Sequence, residues 1–442
     1  MKLEKKFNDF IIQENLFAAG DKLLLAVSGG LDSRVLLHLC HIAGYDIEVM
    51  HVNFRLRGDE SDRDENFVRS LAGHYQIPLH ITSFDTRAFS QSKKLSIQAA
   101  ARELRYQWFG EIRARFKDRS AWIVTAHHLD DNIETSLMNW VKGTGIRGLR
   151  GMMPKQNGLA RPLLFASRAE LETYATEQKL QWVEDSSNRD DHYTRNFMRH
   201  RVLPLLEQAH PQATQNLADN LQRFREAEEL YEQAMAVHRK ALLFAKENEW
   251  HIPVEKLKLS KPLRTISFEL LRPFGFLSSQ LPDILRLLEG ESGKYISSST
   301  HRIIRHRRWL IVAPVAVENN TVIAVDGPGI VAGTGLEITV LKRAPEVIDV
   351  SNNICFIPKR LVQFPLVLRR WKTGDYFYPL GMHKKKKLAR FFNDQRLSKT
   401  QREQQWVLEM NGKIIWLPGL RLDDRFKLTG REEEVVRVTY KL

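Results

Sequence analysis

The side chains best suited to chemistry lie in four polar segments, and the first is Ser28-Gly-Gly-Leu-Asp-Ser33, which follows an apolar run. Adjacent glycines at 29 and 30 let the backbone turn sharply and bring its N–H groups close to a ligand. A helix that begins directly afterwards adds its positive N-terminal end, so the segment predicts an anion-binding loop. Asp32 and Ser33 also fit ordinary helix-capping residues. Both common nucleotide patterns, Walker A and the dinucleotide G-x-G-x-x-G, are absent from the segment.

The second segment, Thr125–Thr135, combines two histidines with three carboxylates at the predicted start of a helix. These residues are His127, His128, Asp130, Asp131 and Glu134. Spacings of three and four residues bring the carboxylates together, and such a cluster binds Mg²⁺ or acts as a general base. The alternative is that the helix dipole alone favours acidic residues in a first turn. Since the segment follows a predicted strand, its position favours a functional role.

The third segment, 100–109, predicts an amphipathic helix. Its predicted apolar stripe consists of Ile97, Ala101, Leu104 and Trp108. Arg102 and Arg105 lie on the flank of this stripe, where guanidinium groups can contact a phosphate or a nucleobase. A solvated charged face is the alternative interpretation of this arginine pair.

The fourth segment, 182–206, interleaves arginines, among them Arg195 and Arg199, with aromatic residues. Guanidinium forks and aromatic rings suit a phosphodiester backbone and an unstacked base. The alternative is a plain amphipathic helix packed on the sheet. A second basic group, which consists of Lys384, Lys385, Lys386, Lys387 and Arg390, is suited to phosphate contact or forms a solvated charged face.

The elements that must position these segments alternate between short apolar runs and helical patterns. The runs lie at 22–28, 46–52, 77–82 and 121–126. This alternation predicts an α/β fold, a Rossmann-like parallel sheet with helices on both faces. Active sites of such sheets lie at the carboxyl ends of the strands, where three of the four runs lead into polar segments.

Beyond the sheet, the sequence predicts two further domains. Apolar residues at helical spacing after about 211 predict a long helix, and strand-like runs follow from about 295. Asn411-Gly412 between two apolar runs predicts a hairpin. We expect a catalytic domain at 1–212, a mostly helical middle domain with later strands at 213–350, and an α+β C-terminal domain at 351–442.

The composition indicates the class of partner and the cellular compartment that we expect for the protein. Lys and Arg outnumber Asp and Glu by 67 to 53, which gives a net charge of +14 and favours a polyanionic partner such as nucleic acid. A basic enzyme whose charge only aids solubility is the alternative. Cys40 and Cys355 are too far apart in sequence to define a disulfide framework, which fits a reducing cytoplasm. The N-terminus and the apolar runs predict neither secretion nor membrane insertion.

The pattern S-G-G-x-D-S resembles the pyrophosphate loop of the N-type ATP pyrophosphatases, or PP-loop superfamily. The four segments, together with His51-Val-Asn53, a glycine-rich stretch at 142–151 and R-P-L-L at 161–164, are similar in order and spacing to those of the bacterial tRNA(Ile)-lysidine synthases. The resemblance extends to the C-terminal 90 or so residues, which are similar to the family's tRNA-binding domain. Phe54 stands where the family commonly has histidine, so no role is assigned to it.

The resemblance implies a ligase that uses ATP to adenylate the C2 carbonyl oxygen of the wobble cytidine in an isoleucine tRNA with a CAU anticodon. The ε-amine of free L-lysine then displaces AMP and leaves lysidine. This amine must lose its proton before it attacks, so a base is needed. Asp131 is the leading candidate, and Asp130 and Glu134 assist in binding Mg²⁺ or the lysine ammonium.

The resemblance also implies which residues act in catalysis and which bind ATP, Mg²⁺ and RNA. For catalysis the residues are Asp131, Asp32, Glu134, Arg102 and Arg105. For ATP they are Ser28, Gly29, Gly30, Leu31, Asp32, Ser33, His127 and His128. For Mg²⁺ they are Asp32, Asp130 and Asp131, and for RNA they are Arg195, Arg199, Lys384 to Lys387 and Arg390.

Two alternatives stay open beside this interpretation. A tRNA thiolase with the same loop would need cysteines for sulfur handling or an iron–sulfur cluster, and two distant cysteines argue against it. A non-catalytic RNA-binding protein with a relic ATP loop would not need the intact carboxylates. The oligomeric state, monomer or homodimer, is not predicted.

Overall fold

The computed structural model describes residues 2–116, 120–184, 194–315, 321–343, 351–430 and 432–441. The chain divides into two compact units, Met1–Glu232 and Gln233–Leu442. Within the described residues, no helix combines the length and the apolar character that crossing a membrane requires.

The first unit is built on a sheet of six strands. They are β1 (Lys22–Ala26), β2 (Asp46–Asn53), β3 (Leu79–Ser83), β4 (Ala121–Val124), β5 (Lys155–Gln156) and β6 (Leu159–Ala160). Their order is β3-β2-β1-β4-β6-β5, and every pair is parallel except β5 with β6. Leu23, Leu24 and Leu25 are fully buried, as expected for a strand covered on both faces. The predicted parallel α/β sheet is confirmed.

Eleven helices of the described chain begin within this unit. They are α1 (Leu3–Gln13), α2 (Leu31–Ile42), α3 (Asp59–Tyr75), α4 (Thr86–Lys93), α5 (Ile97–Arg113), α6 (Leu129–Lys142), α7 (Ile146–Leu149), α8 (Arg168–Glu177), α9 (Thr194–Phe197), α10 (Leu203–Ala209) and α11 (Ala213–Leu242). A π-helical stretch, Met198–Val202, joins α9 to α10. The predicted long helix is α11, and it crosses the limit between the two units.

The apolar stripe predicted for the third segment is partly wrong. Leu104 and Trp108 are buried in α5 as expected, but Ile97 is 45% exposed and Ala101 is only half-buried. The buried face passes through Ala100 instead, because residues 100, 104 and 108 repeat every four positions and stay on one side of a helix.

The second unit is rich in strands. They are β7 (Phe244–Lys246), β8 (Glu249–Pro253), β9 (Tyr295–Ser297), β10 (His301–His306), β11 (Trp309–Pro314), β12 (Val322–Val325), β13 (Gly329–Val331), β14 (Leu336–Leu341), β15 (Ile354–Pro358), β16 (Leu366–Arg370), β17 (Tyr376–Phe377), β18 (Lys386–Lys387), β19 (Trp406–Met410), β20 (Lys413–Leu417), β21 (Arg421–Leu422) and β22 (Val435–Tyr440). Its other helices are α12 (Val254–Lys258), α13 (Leu263–Leu271), α14 (Leu281–Leu287), α15 (Leu388–Asp394) and α16 (Lys399–Glu403). The predicted hairpin at Asn411-Gly412 joins β19 to β20.

The region predicted as a mostly helical middle domain contains a five-stranded sheet, β7-β8-β11-β10-β9, beside its helices. Strand pairing also crosses the predicted limit at 350. β12 pairs with β16, and β14 pairs with β22, so a domain limit at 350 would cut two sheets. The domain limits themselves stay a prediction.

Candidate functional site

The candidate site lies where β1 and β4 are neighbours and the chain leaves each strand in a different direction. Such a switch point between parallel strands opens a crevice at their carboxyl ends. The segment after β1 leads into α2, and the segment after β4 leads into α6. The structure therefore brings the first two predicted segments to the same edge of the sheet.

The loop after β1 requires glycine at position 29. Gly29 has φ of +94°, and a Cβ atom there would lie 3.4 Å from the Phe67 side chain and 3.6 Å from that of Val68. The Gly29 carbonyl accepts a hydrogen bond from the Val183 N–H at 3.0 Å. Gly30 is the N-cap residue of α2 in an extended conformation, so its role is to begin the helix.

Two serines hold the shape of this loop. Ser33 Oγ accepts from the Ser28 N–H at 3.2 Å and donates to the Gly30 carbonyl at 3.0 Å. Leu31 packs its side chain into the core, so only its backbone faces the crevice edge. The first N–H groups of α2 have no acceptor within the helix, which leaves them available to an anion.

His128 stands at the centre of the second segment, with its side chain only 1% exposed and three carboxylates around it. Its Nδ1 lies 3.2 Å from Asp130 Oδ2, and its Nε2 lies 3.4 Å from Asp131 Oδ2 and 3.8 Å from Asp32 Oδ2. Asp32 comes from the loop after β1, whereas the other two carboxylates come from α6. His128 thus connects the two predicted segments.

The charges of this cluster shift the pKa of each member. Burial would lower the pKa of His128, but its hydrogen bond to Asp130 and the negative charges of Asp131 and Asp32 raise it. Burial raises the pKa of Asp32, against the opposing charges of His128 and Arg168. Burial acts in the same direction on Asp130, but hydrogen bonds from His128 and the Arg168 N–H lower its pKa.

Arg199 links Asp131 to the fourth carboxylate, Glu134. Its Nε donates to Glu134 Oε1 at 2.6 Å, and its Nη2 donates to Asp131 Oδ1 at 3.1 Å. Arg195 donates to Thr135 Oγ1 at 2.9 Å and lies 3.5 Å from Glu134 Oε2. Both arginines of the fourth segment are therefore engaged by α6, and their contact with RNA stays a prediction. Residues 185–193 of that segment lie outside the described residues.

Asp131 and Glu134 differ in basicity. Burial would raise the pKa of Asp131, but the positive charges of His128, Arg195 and Arg199 lower it. Burial raises the pKa of Glu134, whose side chain is fully buried, although hydrogen bonds from Arg199 oppose the shift. A carboxylate with a raised pKa is the stronger proton acceptor, so the two side chains differ in basicity, and the assignment of the base to Asp131 stays a prediction.

The other residues predicted for catalysis and for ATP lie around this centre. His127 Nδ1 forms a hydrogen bond with Thr125 Oγ1 at 2.8 Å. Burial, together with nearby arginines that include Arg102, lowers the pKa of His127 to about 4. The Arg102 guanidinium lies over the Tyr106 ring at 4.8 Å. Arg105 lies over the Phe54 ring at 5.1 Å, which places an aromatic face where the family commonly has histidine.

The donor set fits Mg²⁺ at one residue, Asp32. Its Oδ1 is buried and accepts no hydrogen bond from the described protein atoms. Asp131 uses both oxygens on Arg199 and the His128 N–H, and Asp130 Oδ2 accepts from the Arg168 N–H. In the described residues, His, Cys, Asp and Glu side chains form no closed metal-binding group. The binding of Mg²⁺ at Asp32, Asp130 and Asp131 stays a prediction.

Arg168 is a site residue that the sequence analysis did not identify. Its Nη1 lies 3.6 Å from Asp32 Oδ2, and its N–H donates to Asp130 Oδ2 at 2.8 Å. A detectable signal was present, because Ser167 and Glu170 form a capping box that places Arg168 at the first position of α8. At the first position of a helix, the Arg168 N–H has no acceptor within the helix and can donate to an anion.

Beside the carboxylates lies a cavity of about 140 Å³. Its lining residues are Asp130, Glu134, Arg168, Arg199, Leu203, Pro204, Glu207 and Thr214. The cavity therefore combines carboxylates with an apolar wall from α10, a combination suited to a small ligand with an aliphatic chain and a cationic end.

The predicted basic group of the C-terminal region lies in the second unit. Lys384, Lys385, Lys387 and Arg390 are exposed, whereas Lys386 is half-buried and pairs with Asp394 at 2.6 Å. Lys385 lies over the Tyr376 ring at 5.4 Å. Their contact with RNA phosphates stays a prediction.

The fold and the loop after β1 define a PP-loop protein, and residues 1–206 match the PP-loop domain family. Residues 245–315 match the TilS substrate binding domain, and residues 366–439 match the TilS substrate C-terminal domain. Similarity over the whole length of the chain points to a more specific family. The chain is 35% identical to the tRNA(Ile)-lysidine synthase of Parabacteroides distasonis over 434 residues, which cover 98% of each protein.

Two further relatives carry the same name. The tRNA(Ile)-lysidine synthase of Bacteroides thetaiotaomicron is 36% identical over 98% of this chain and 99% of its own length. That of Porphyromonas gingivalis is 34% identical over 97% of this chain and 96% of its own length. The chain therefore belongs to the tRNA(Ile)-lysidine synthase family.

Proposed function

We propose that this protein is an AMP-forming carbon–nitrogen ligase that attaches free L-lysine to C2 of the wobble cytidine in isoleucine tRNA with a CAU anticodon. The observation that carries the proposal is the contact of His128 with both Asp32 and Asp131, which joins the PP-loop to the carboxylate helix at one edge of the sheet. ATP binding and proton transfer thereby share one site, as adenylation followed by amine attack requires.

The PP-loop binds ATP through the backbone of Ser28 to Ser33, whose N–H groups face the phosphates that leave as pyrophosphate. Asp32, whose buried Oδ1 accepts no hydrogen bond from the described residues, would hold Mg²⁺, and the ion would supply positive charge against the polyanionic leaving group. Arg168 is directed at the same carboxylate and keeps it in place. Arg102 and Arg105 present stacked guanidinium groups to RNA phosphate or base.

L-Lysine binds in the cavity beside the carboxylates. Leu203 and Pro204 cover its aliphatic chain, while Glu207 and Asp130 hold its ammonium groups. A volume of about 140 Å³ suits a slender aliphatic chain such as that of lysine. Glu134 takes the proton from the attacking ε-amine, since burial raises its pKa above that of an ordinary carboxyl.

The test of this function is incorporation of radiolabelled L-lysine into an isoleucine tRNA transcript with ATP. We expect one AMP and one pyrophosphate for each labelled lysine. The Asp32→Asn variant should lose AMP release and keep its tRNA affinity within about twofold, because its side chain acts on ATP. The proposal is wrong if no label enters the tRNA while a thiol donor modifies it.

The lysine cavity is tested by a pair of glutamate variants. Glu207→Gln should raise the KM for lysine about tenfold with little change in the KM for ATP, because it removes one charge-assisted contact. Glu172→Gln is the matched control, since Glu172 is exposed on α8. Equal KM values for lysine in both variants would place the amino acid elsewhere.

A further inference from the structure

The glycine-rich loop that follows α6, residues 143–151, is folded unusually close to that helix. A Cβ atom on Gly151 would lie 2.1 Å from Asn132 Oδ1, and one on Gly148 would lie 1.9 Å from Thr144 Oγ1. Neither position tolerates a side chain without rearrangement. Glycine at 151 therefore allows the loop to approach α6, the helix that carries the proposed catalytic carboxylates.

One face of α6 binds the inner side of this loop. Asn132 Oδ1 accepts from the Met152 N–H at 2.5 Å, Ser136 Oγ donates to the Leu149 carbonyl at 2.6 Å, and Asn139 Nδ2 donates to the Gly148 carbonyl at 3.0 Å. Positions 132, 136 and 139 recur at helical spacing and so form one stripe. Glu134 lies on the same turn as Asn132, so the loop and the active site share this stretch of helix.

The outer side of the loop is held by α11. Arg150 pairs through Nε with Glu228, and Arg147 pairs with Glu228 at 3.3 Å and with Glu232. Arg150 and Glu228 are each 12% exposed, which makes this ion pair largely sheltered from solvent. One helical turn earlier, Arg225 donates to the Met152 carbonyl at 3.4 Å.

Arg225, Glu228 and Glu232 form a stripe along α11 at steps of three and four residues. A rotation of the helix by one residue, about 100°, would carry all three away from the loop. The stripe ends where the first unit ends, and α11 continues beyond it into the second unit. The glycine-rich loop is thus clamped between the catalytic helix and the helix that connects the two units.

We propose that the cluster of Arg147, Arg150, Glu228 and Glu232 positions the active site by fixing the glycine-rich loop against α6. The four residues are positioning residues, because they contact the loop and not the reacting groups. This inference rests on the proposed ligase function.

The test compares three variants in the full-length protein: Glu228→Gln, Arg150→Gln and the double variant. Each single change leaves a sheltered charge without its main partner. We expect kcat for lysidine formation to fall about tenfold or more, since small misplacements of catalytic groups carry such losses. The KM for ATP and the tRNA affinity should stay within about twofold. Because the pair acts as a unit, the double variant should lose no more activity than either single variant.

A second readout does not depend on activity. Trypsin cleaves after arginine, so release of the loop should speed cleavage after Arg147 in Glu228→Gln, and hydrogen exchange of residues 143–151 should rise. Glu226→Gln is the matched control, because Glu226 is exposed on the same helix and hydrogen-bonded only to Gln222 among the contacts described for its side chain. It should match wild type in both measurements.

The outcomes separate the two proposals. Inactive wild-type protein would overturn the ligase function and leave the loop measurements to decide the clamp. Active wild type with Glu228→Gln variants that match Glu226→Gln in kcat and in loop protection would overturn the clamp. Additive losses in the double variant would also overturn it, because they would show that the two residues act independently.

Discussion

Replacement of His128 by glutamine removes the cation that lies among Asp32, Asp130 and Asp131. At an effective dielectric constant near 20, one ion pair at 3.8 Å is worth about 4 kcal/mol of Coulomb attraction. Asp32 and Asp130 are 26% and 29% exposed, so solvent screens part of this energy. We expect a net loss of about 3 kcal/mol in the free energy of unfolding at pH 6, in the range for a buried charge that loses its partner.

This loss depends on pH, and its sign follows from the raised pKa of His128. A group whose pKa is higher in the folded protein contributes its full stabilisation below its unfolded pKa, about 6.5, and loses it as pH rises through the folded pKa. The difference in stability between wild type and His128→Gln should therefore be largest near pH 6 and shrink toward pH 9. Urea unfolding at both pH values measures it.

The neighbouring histidine provides the control. Burial lowers the pKa of His127 to about 4, so its ring is neutral from pH 6 to pH 9. Because the unfolded ring is still protonated in part at pH 6, wild type loses stability there relative to pH 9, and His127→Gln does not. The loss of stability in His127→Gln should therefore be smaller at pH 6 than at pH 9, which is the opposite trend to that of His128→Gln. A stability difference for His128→Gln that does not change with pH, or that grows toward pH 9, would refute the assignment of a protonated imidazole at this site.

Three further predictions concern other parts of the molecule. Arg199→Gln leaves Glu134 buried without its main partner, so Glu134 should take up a proton. Urea unfolding should show that the free energy of unfolding falls by about 3 kcal/mol at pH 8 and by less toward pH 5. Gly29→Ala places a side chain at φ +94° beside Phe67, and we expect a higher KM for ATP in pyrophosphate-release assays. Reversal of the charges at Lys384 and Lys385 should flatten the salt dependence of tRNA affinity in filter binding, and an unchanged slope would exclude them from the contact surface.

Much of the first unit was predictable because its determinants are local. Apolar runs of four to eight residues bounded by polar loops mark β1, β2 and β4. The proximity of Asp32 and His128 could also be predicted, because the carboxyl ends of parallel strands lie at one edge of the sheet. Both predictions need only the hydrophobic pattern and the geometry of a parallel sheet.

The rest depends on contacts between residues that are distant in sequence. Arg199 pairs with Glu134 across 65 positions, and a solvated or RNA-facing arginine has the same local pattern. The pairing of β12 with β16 likewise has no local signal, which is why the sequence alone suggested a domain limit that cuts the sheet. On α5, the alternation of apolar residues permitted two adjacent stripes, and only packing against the sheet selects the one through Ala100.

The charges at the site carry a consequence for substrate binding. Asp32, Asp130, Asp131 and Glu134 are opposed by protonated His128, Arg168, Arg195 and Arg199, so the negative and positive groups nearly balance. A balanced site offers little net attraction to ATP, so we expect the loop N–H groups, and the Mg²⁺ proposed at Asp32, to supply most of the binding.

In the proposed reaction, entry of lysine would disturb that balance, because its ammonium groups add positive charge beside Arg199 in the same cavity. Displacement of Arg199 from Glu134 would free the carboxylate that we propose as the base at the moment when the amine arrives. Without lysine, Arg199 donates to both oxygens of Glu134, so the carboxylate is not free to take a proton from water. In the proposed reaction, this contact would therefore protect the adenylated cytidine from hydrolysis until lysine arrives.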